Sequence, residues 1–361
     1  MQKKKVCIIA PSLSLGGNER HLSILANYFH STKRVEVHYV IVYNMEQFFN
    51  LDKDIKLYVP PLDKKGKNKL FYIIQALWFV RKSVISIKPD VILSFGEELN
   101  SYILSSLLFT NFRHVIADTG SPNLQHKFWL RIARKILYPR ATAVIAQTKI
   151  AAKQKSKMLK GKTTIKVIPN PARAIVKYPN IERKNQIVYI GRLHKEKGVD
   201  VLIEAFATIT NRKDWKLILA GAGIHKNYFV EQVKSLCEED NIIFVGKVKE
   251  VDKLLAKSKI FGFTSHGEGF PNALLEAMCA GVPVVSYDCV AGPAEIITNN
   301  KNGFLIKYGD KSSFIEHLEY LMKHEEERKR MSENAIKSCK KFNLEKVGSQ
   351  YLNFLLDHSG E

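Results

Sequence analysis

Short runs of β-branched and aliphatic residues alternate along this chain with longer stretches in which apolar positions recur every three or four residues. The first pattern marks strands buried on both faces and the second marks amphipathic helices, so the rhythm predicts parallel sheets with helices on both sides. In the first half the strand-like runs are 6–10, 36–42, 91–94, 114–117 and 143–146. After an interruption the pattern restarts at 186–190, 216–219, 242–245, 260–264, 282–286 and 303–306. Two Rossmann-like units account for the two series, and 361 residues give each unit enough chain for its own core. Between them Pro169-Asn170-Pro171 and Tyr178-Pro179-Asn180, followed by charged residues up to Lys184, bar continuation of either element. The expected division is an N-terminal domain 1–173, a C-terminal domain 174–341 and a terminal helix 342–361. On that helix Val347, Tyr351, Phe354 and Leu355 form one apolar face that must dock.

Charge changes the picture in one respect. Residues 1–175 hold 29 Lys and Arg against 10 Asp and Glu, an excess of 19, whereas 176–361 hold 27 against 25. The net charge of +21 therefore resides almost wholly in the first half. It favours an anionic partner, which could be a membrane surface, a pyrophosphate-bearing acceptor or a nucleic acid. No helix-turn-helix, zinc knuckle or RNP-type strand accompanies it. The most apolar stretch, 70–80, is eleven residues long and includes Gln75, short of the roughly 18–20 residues of a spanning helix. The basic start runs at once into a strand and a glycine loop, which is not the form of a secretory signal. Five cysteines, with no CxxC pair and no metal-ligand spacing, read as small core residues in a reducing compartment.

Three loops that follow strands carry residues suited to a phosphorylated ligand. Pro11-Ser12-Leu13-Ser14-Leu15-Gly16-Gly17-Asn18-Glu19-Arg20 joins the first strand to a helix. Glycines there let the backbone approach a ligand, and the helix start offers N–H groups to phosphate, although a glycine pair in a turn is as often plain geometry. The order differs from GxGxxG, and the second strand ends in Val42-Tyr43-Asn44 without the acidic residue that a nicotinamide fingerprint requires. The second loop is Gly191-Arg192-Leu193-His194-Lys195-Glu196-Lys197-Gly198, at the carboxyl end of a strand where open α/β sheets bind ligands. A guanidinium fork and an ammonium converging there suit a diphosphate and would stabilise charge on a leaving group; the bland alternative is a solvated basic turn. The third runs from Ser265 to Ala277 and holds Glu268, Gly269, Phe270, Pro271, Asn272, Ala273 and Glu276. Pro271 suits the first turn of a helix, which leaves Glu268 in the loop and Glu276 about 7–8 Å along the axis. Leu274, Leu275, Ala277, Met278 and Ala280 make that helix apolar almost all round, so the Glu276 charge needs a partner.

Taken together, Gly16-Gly17, Val167-Ile168-Pro169-Asn170, Gly191-Arg192-Leu193 with Lys197-Gly198, and the Glu268 and Glu276 pair resemble the retaining glycosyltransferases of family 4. That family has the GT-B fold and builds bacterial polysaccharides and glycolipids, and the motifs come in its order from one end of the chain to the other. The resemblance implies an α/β chain of GT-B architecture, with two Rossmann-like domains facing across a cleft and the last helix crossing back onto the first. It implies that Arg192 and Lys197 hold the donor pyrophosphate together with the amides of Gly16 and Gly17, in a site that includes Gly191. Glu268 would contact the transferred sugar, and Glu276 would bind ribose. The backbone from Gly269 through Phe270, Pro271 and Asn272 to Ala273 would meet the sugar and the β-phosphate. Transfer would retain the anomeric configuration by front-face attack, with no cofactor and no essential metal. The sequence offers no convincing DxD metal loop, and Arg192 and Lys197 would do the neutralising that Mg²⁺ does elsewhere.

One feature of the family is missing. Many relatives carry a histidine that reaches the sugar, where this chain reads Val115-Ile116-Ala117-Asp118-Thr119-Gly120-Ser121-Pro122, with His114 and His126 on either side. Asp118 is a candidate catalytic residue beside Arg192, Lys197 and Glu268, or it forms an Asx turn before Gly120. The Glu-Gly-Phe-Pro-Asn form and Gly292-Pro293-Ala294-Glu295 resemble members that use UDP-linked hexoses or N-acetylhexosamines. The expected donor is thus a UDP-sugar, and the expected acceptor a lipid-linked saccharide or polysaccharide precursor of capsule or lipopolysaccharide type. A nucleotide-sugar 2-epimerase of the same fold, and a basic nucleic-acid-binding or membrane-binding protein without activity, are the alternatives.

The basic half bears on location. In 127–138, Phe128, Trp129, Ile132, Ala133, Ile136 and Leu137 gather on one side of a helix, and Lys127, Arg131, Arg134 and Lys135 on the other. Such a helix suits the interface of an anionic leaflet, or it buries its apolar face in the domain core, which is the commoner fate. Residues 64–69 with 70–87, and residues 153–162, add two further basic patches. The expectation is a peripheral enzyme on the cytoplasmic face of the cell membrane, with no nucleic acid partner.

Overall fold

A computed structural model describes residues 3–14, 16–61 and 68–358, and the chain divides into two compact units. The first is Met1–Gly120, Leu124–Pro171 and Leu344–Glu361, and the second is Ser121–Asn123 with Ala172–Asn343. The division expected at 173/174 falls after Pro171, and the one expected at 341/342 falls after Asn343. No local pattern signals the short Ser121–Asn123 passage.

The first unit runs β1 (Lys4–Ala10), α1 (Gly17–Ser31), β2 (Val35–Ile41), β3 (Lys56–Tyr58), α2 (Lys69–Ile87), β4 (Val91–Phe95), α3 (Glu97–Ser106), β5 (His114–Asp118), α4 (Phe128–Leu137), β6 (Ala143–Ala146), α5 (Lys149–Leu159) and β7 (Thr164–Val167). Its strands form one parallel sheet in the order β3-β2-β1-β4-β5-β6-β7. Alternation along β1 divides the core: Val6, Ile8 and Ala10 meet Leu22, Leu25 and Phe29 of α1, while Cys7 and Ile9 meet Ala76, Val80 and Val84 of α2. Strands β3 and β7 escape the sequence pattern because they are short edge strands whose positions are exposed or half-buried, without a continuous apolar run.

Two helices differ from their sequence reading. Helix α2 continues beyond Val80 through Arg81 and Lys82 to Ile87, so Leu70–Ile87, at 18 residues, is long and apolar enough by length and composition to cross a membrane. Ala76, Val80, Val84 and Ile87 bury one side of it in the core, and Leu70, Phe71, Ile74, Trp78 and Ile85 are exposed. Residues 64–67 of the adjoining basic patch lie outside the described residues. Helix α4 is turned against its amphipathic pattern: Leu130 and Arg134 are buried, while Phe128, Trp129, Ile132 and Ile136 are 76%, 44%, 42% and 65% exposed. Burial of its apolar face in the core, the commoner fate, is therefore not what this helix does.

The second unit runs β8 (Lys184–Ile190), α6 (Val199–Thr208), β9 (Lys216–Ala220), α7 (Lys226–Ser235), β10 (Ile242–Gly246), α8 (Val251–Ala256), β11 (Ser258–Phe263), α9 (Asn272–Cys279), β12 (Val284–Asp288), α10 (Pro293–Ile296), β13 (Phe304–Lys307), α11 (Lys311–Lys323) and α12 (Glu325–Cys339). Its sheet is parallel, in the order β10-β9-β8-β11-β12-β13. All five cysteines are free, and Cys237 is exposed rather than in the core. Helix α13 (Leu344–Asp357) returns to the first unit, where Val347, Tyr351 and Leu355 are fully buried. At about 1.5–3 kcal/mol for each large apolar side chain, this stripe anchors the helix.

Candidate active site

Two loops meet at the carboxyl edge of the second unit's sheet. Strand β8 runs into Gly191-Arg192-Leu193, and a short 3-10 turn, Lys195–Lys197, leads through Gly198 into α6. Gly198 has a φ of 61°, and a Cβ there would lie 2.0 Å from the Thr264 carbonyl oxygen, so only glycine lets this loop lie against the end of β11. Thr264 Oγ1 donates to the Gly198 carbonyl at 2.7 Å, and the His266 N–H to the Glu196 carbonyl at 2.9 Å. The two loops are thereby laced into one platform.

That lacing brings Lys197 to Glu268. Lys197 Nζ donates to Oε1 at 2.7 Å and to Oε2 at 2.8 Å, with both side chains largely buried. An ammonium has three N–H bonds, so one remains for another acceptor. Arg192 in the same loop is exposed, and its guanidinium has no hydrogen-bond or ion-pair partner among the described residues.

Helix α9 starts at Asn272, with Pro271 as its N-cap rather than its first helical residue. The Asn272 N–H donates to the Phe270 carbonyl at 3.0 Å, whereas the amides of Ala273 and Leu274 have no backbone acceptor among the described residues. Phe270 is buried edge-on against Phe342, which leaves its backbone, not its ring, for a ligand. One turn into α9, Glu276 is 8% exposed, and the partner its charge requires is Arg173. Arg173 Nε donates to Glu276 Oε2 at 3.0 Å, and the same guanidinium pairs with Asp252. Burial works against the Arg173 charge, but Asp252 and Glu276 outweigh it and raise the pKa.

In the first unit, Gly16 caps α1 with an extended backbone, and a Cβ there would lie 2.0 Å from Glu19 Oε2, whose carboxylate folds back over it. Gly17 lacks such a reason, since a Cβ on it would have no described atom within 4 Å.

Asp118 takes a different part from either one expected of it. As the last residue of β5 it is 2% exposed. Its Oδ1 accepts from Tyr138 Oη at 2.7 Å and Asn100 Nδ2 at 3.2 Å, and its Oδ2 from Arg134 Nη2 and Lys155 Nζ, both at 2.9 Å. Four donors exhaust a carboxylate's acceptor sites, so Asp118 has nothing left for a substrate and is neither a catalytic group nor an Asx turn. Burial alone would raise its pKa; Lys155 and Arg134 outweigh burial and hold it below the usual range. Glu97, also buried, accepts from the Gly120 N–H at 3.0 Å, and burial together with Asp118 pushes its carboxyl up. This cluster explains the reversal of α4, because Asp118 draws Arg134 inward and leaves Ile132 and Ile136 outside. Lys155, counted with the 153–162 surface patch, is drawn in likewise. His114 is a core residue paired with Ser94 Oγ at 2.7 Å, its pKa pushed down by burial to about 3.

Gly191, Arg192, Lys197, Glu268, Gly269, Phe270 and Pro271 lie on the two loops after β8 and β11, and Asn272, Ala273 and Glu276 on the helix that follows, all in the second unit. The sequence reading missed Arg173, for which the one signal was indirect: a charge on an apolar helix.

Residues 172–338 match the family described as glycosyl transferases group 1. The chain is 26% identical over 363 residues, 98% of each protein, to the GalNAc-alpha-(1->4)-GalNAc-alpha-(1->3)-diNAcBac-PP-undecaprenol alpha-1,4-N-acetyl-D-galactosaminyltransferase of Campylobacter jejuni. It is 30% identical over 273 residues, 66% of each protein, to an uncharacterized glycosyltransferase of Methanocaldococcus jannaschii. Among solved structures it is similar to Anabaena HepE in complex with UDP and glucose, with a TM-score of 0.80 and 18% identity over 98% of this chain and 100% of that one.

Proposed function

We propose that this chain, whose residues 172–338 match the group 1 glycosyl transferases and whose fold is GT-B, moves a hexose or N-acetylhexosamine from a UDP-sugar to a lipid-linked saccharide or polysaccharide precursor. The observation that carries this reading is the Lys197–Glu268 pair, at 2.7 Å, laced to the loop that opens α9. It offers a cation for pyrophosphate, a carboxylate for sugar hydroxyls and unpaired amides for phosphate. The relatives lend support, since the Campylobacter protein is named for transfer of N-acetylgalactosamine to an undecaprenol-pyrophosphate saccharide, and HepE was solved with UDP and glucose. The family match does not favour the epimerase alternative.

In the proposed reaction the bond from sugar C1 to the β-phosphate oxygen breaks while the acceptor oxygen bonds to C1 on the same face. The acceptor's proton passes to the departing phosphate oxygen. Arg192 and Lys197 neutralise the charge that collects there, which is the part a metal ion plays elsewhere. Glu268, shared with Lys197, orients the sugar, and Glu276 takes the ribose hydroxyls. In the first unit, Gly17 at the start of α1 is kept as a further candidate for donor phosphate, and the lack of any internal reason for glycine there supports this.

The exposed stripes Leu70, Phe71, Ile74 and Trp78 of α2 and Phe128, Trp129, Ile132 and Ile136 of α4, with Lys82, Arg131 and Lys135 on the same helices, support a peripheral position on the cytoplasmic membrane face. Transfer from labelled UDP-sugars to polyprenyl-pyrophosphate saccharides tests the reaction. It should proceed in EDTA, retain configuration by NMR and fall about 10²–10³-fold in Arg192→Ala. Activity abolished by EDTA, or an inverted product, would overturn the proposed mechanism. Flotation with anionic vesicles tests the location, and equal binding by wild type and Trp78→Gln/Ile136→Gln would contradict it.

A further inference from the structure

We infer that Arg173 is a positioning residue for the donor's ribose, acting through Glu276; this rests on the donor reading above. A carboxylate 8% exposed on an apolar helix is costly unless a cation accompanies it, and here the cation comes from 103 residues away in sequence. Arg173 holds Glu276 Oε2 through Nε at 3.0 Å, pairs with Asp252 through Nη2, and donates from Nη1 to the Ala174 carbonyl at 3.3 Å. Asp252 is fixed in turn by the Val176 N–H at 2.8 Å. The backbone that carries the guanidinium is pinned as well, because the Ala172 N–H donates to the Phe342 carbonyl at 2.7 Å.

A planar guanidinium fastened on three sides sets the rotamer of Glu276 and the plane of its carboxylate. Hydrogen bonds to ribose hydroxyls depend on that plane, so Arg173 governs recognition of the ribose without touching it. A guanidinium that only neutralised a buried charge would behave differently. Its removal would weaken the fold, and with it the affinity for every nucleotide, to the same degree.

Calorimetric titration with UDP and with 2′,3′-dideoxy-UDP separates the two roles, because the second nucleotide lacks the hydroxyls that Glu276 would hold. Wild type should prefer UDP by about 10- to 100-fold, the scale of one or two hydrogen bonds to a charged group. Glu276→Gln should erase most of that preference. Arg173→Gln should lower it about tenfold while leaving the dideoxy nucleotide within about twofold of wild type, and Arg173→Lys should fall between. If Arg173→Gln weakens both nucleotides equally while Glu276→Gln loses the preference, the inference is wrong and the donor reading stands. If wild type shows no preference, or Glu276→Gln keeps it, the donor reading fails and the inference falls with it.

Discussion

Replacing Gly17 by alanine separates a glycine kept for the chain from one kept for a ligand. Position 17 opens α1, and a Cβ there would have no described atom within 4 Å, so the fold has room for it. Alanine is the better helix former by at most about 1 kcal/mol, which for a unit of this size is a rise of about 2–4 °C or less. Donor binding should respond in the opposite sense. A methyl group at a helix start holds phosphate oxygens away from the backbone N–H groups, and losing one charge-assisted hydrogen bond costs about 1.5–3 kcal/mol, or roughly 10- to 150-fold in affinity. Gly16→Ala is the contrasting substitution, since its Cβ would sit 2.0 Å from Glu19 Oε2 and must displace that carboxylate. Urea unfolding reads the first quantity and titration with a UDP-sugar the second. Gly17→Ala binding the donor within about twofold of wild type, at unchanged stability, would refute a ligand-facing role for this glycine.

Three further outcomes are expected. Gly198→Ala combines a left-handed backbone with a Cβ 2.0 Å from a carbonyl oxygen, and should cost about 2–4 kcal/mol in urea unfolding; a loss under about 0.5 kcal/mol would mean that the two loops part freely. Asp118→Asn leaves Arg134 and Lys155 without their buried counter-charge and should cost about 3–5 kcal/mol while sparing UDP affinity; a native-like melt with lost turnover would instead make Asp118 catalytic. Burial holds His21 and His114 neutral, with pKa values pushed down to about 3 from an ordinary 6.5. Between those limits the unfolded chain binds protons that the folded chain does not, so stability is full above about pH 6.5 and falls as pH drops, by up to about 1.4 kcal/mol per unit per histidine. Thermal midpoints from pH 7 to 4 check this, and His114→Gln should flatten the slope.

How much of this was legible in the sequence differs from residue to residue for physical reasons. The runs 6–10 and 91–94 announce themselves because both faces of a central parallel strand are buried, whereas β3 and β7, at the sheet edges, need no such run. Lys197 and Glu268 lie 71 residues apart and meet because β8 and β11 are neighbours in the sheet, an order that the sequence motifs imply only through family resemblance. Arg173 was illegible for the same reason, without a motif to flag it. Helix α4 misled because periodicity counts apolar positions and is blind to a buried acid such as Asp118, which outbids Ile132 and Ile136 for the inside. In α2, two basic residues at 81 and 82 made the apolar stretch look finished seven residues before the helix ends.

The central claim is that the second unit holds a nucleotide-sugar on Arg192, Lys197, Glu268 and Glu276. A thermal-shift panel of UDP-, GDP- and ADP-sugars on wild type, Arg192→Ala and Glu276→Gln tests it most directly. At a hundredfold excess over Kd a bound donor adds about 2.7 kcal/mol, or about 5–10 °C for a domain of this size. The expected result is that a UDP-sugar raises the wild-type midpoint by that amount and that each substitution cuts the rise to about half or less. A rise undiminished by both substitutions would place the donor elsewhere, and no rise with any of the three nucleotides would contradict the site altogether.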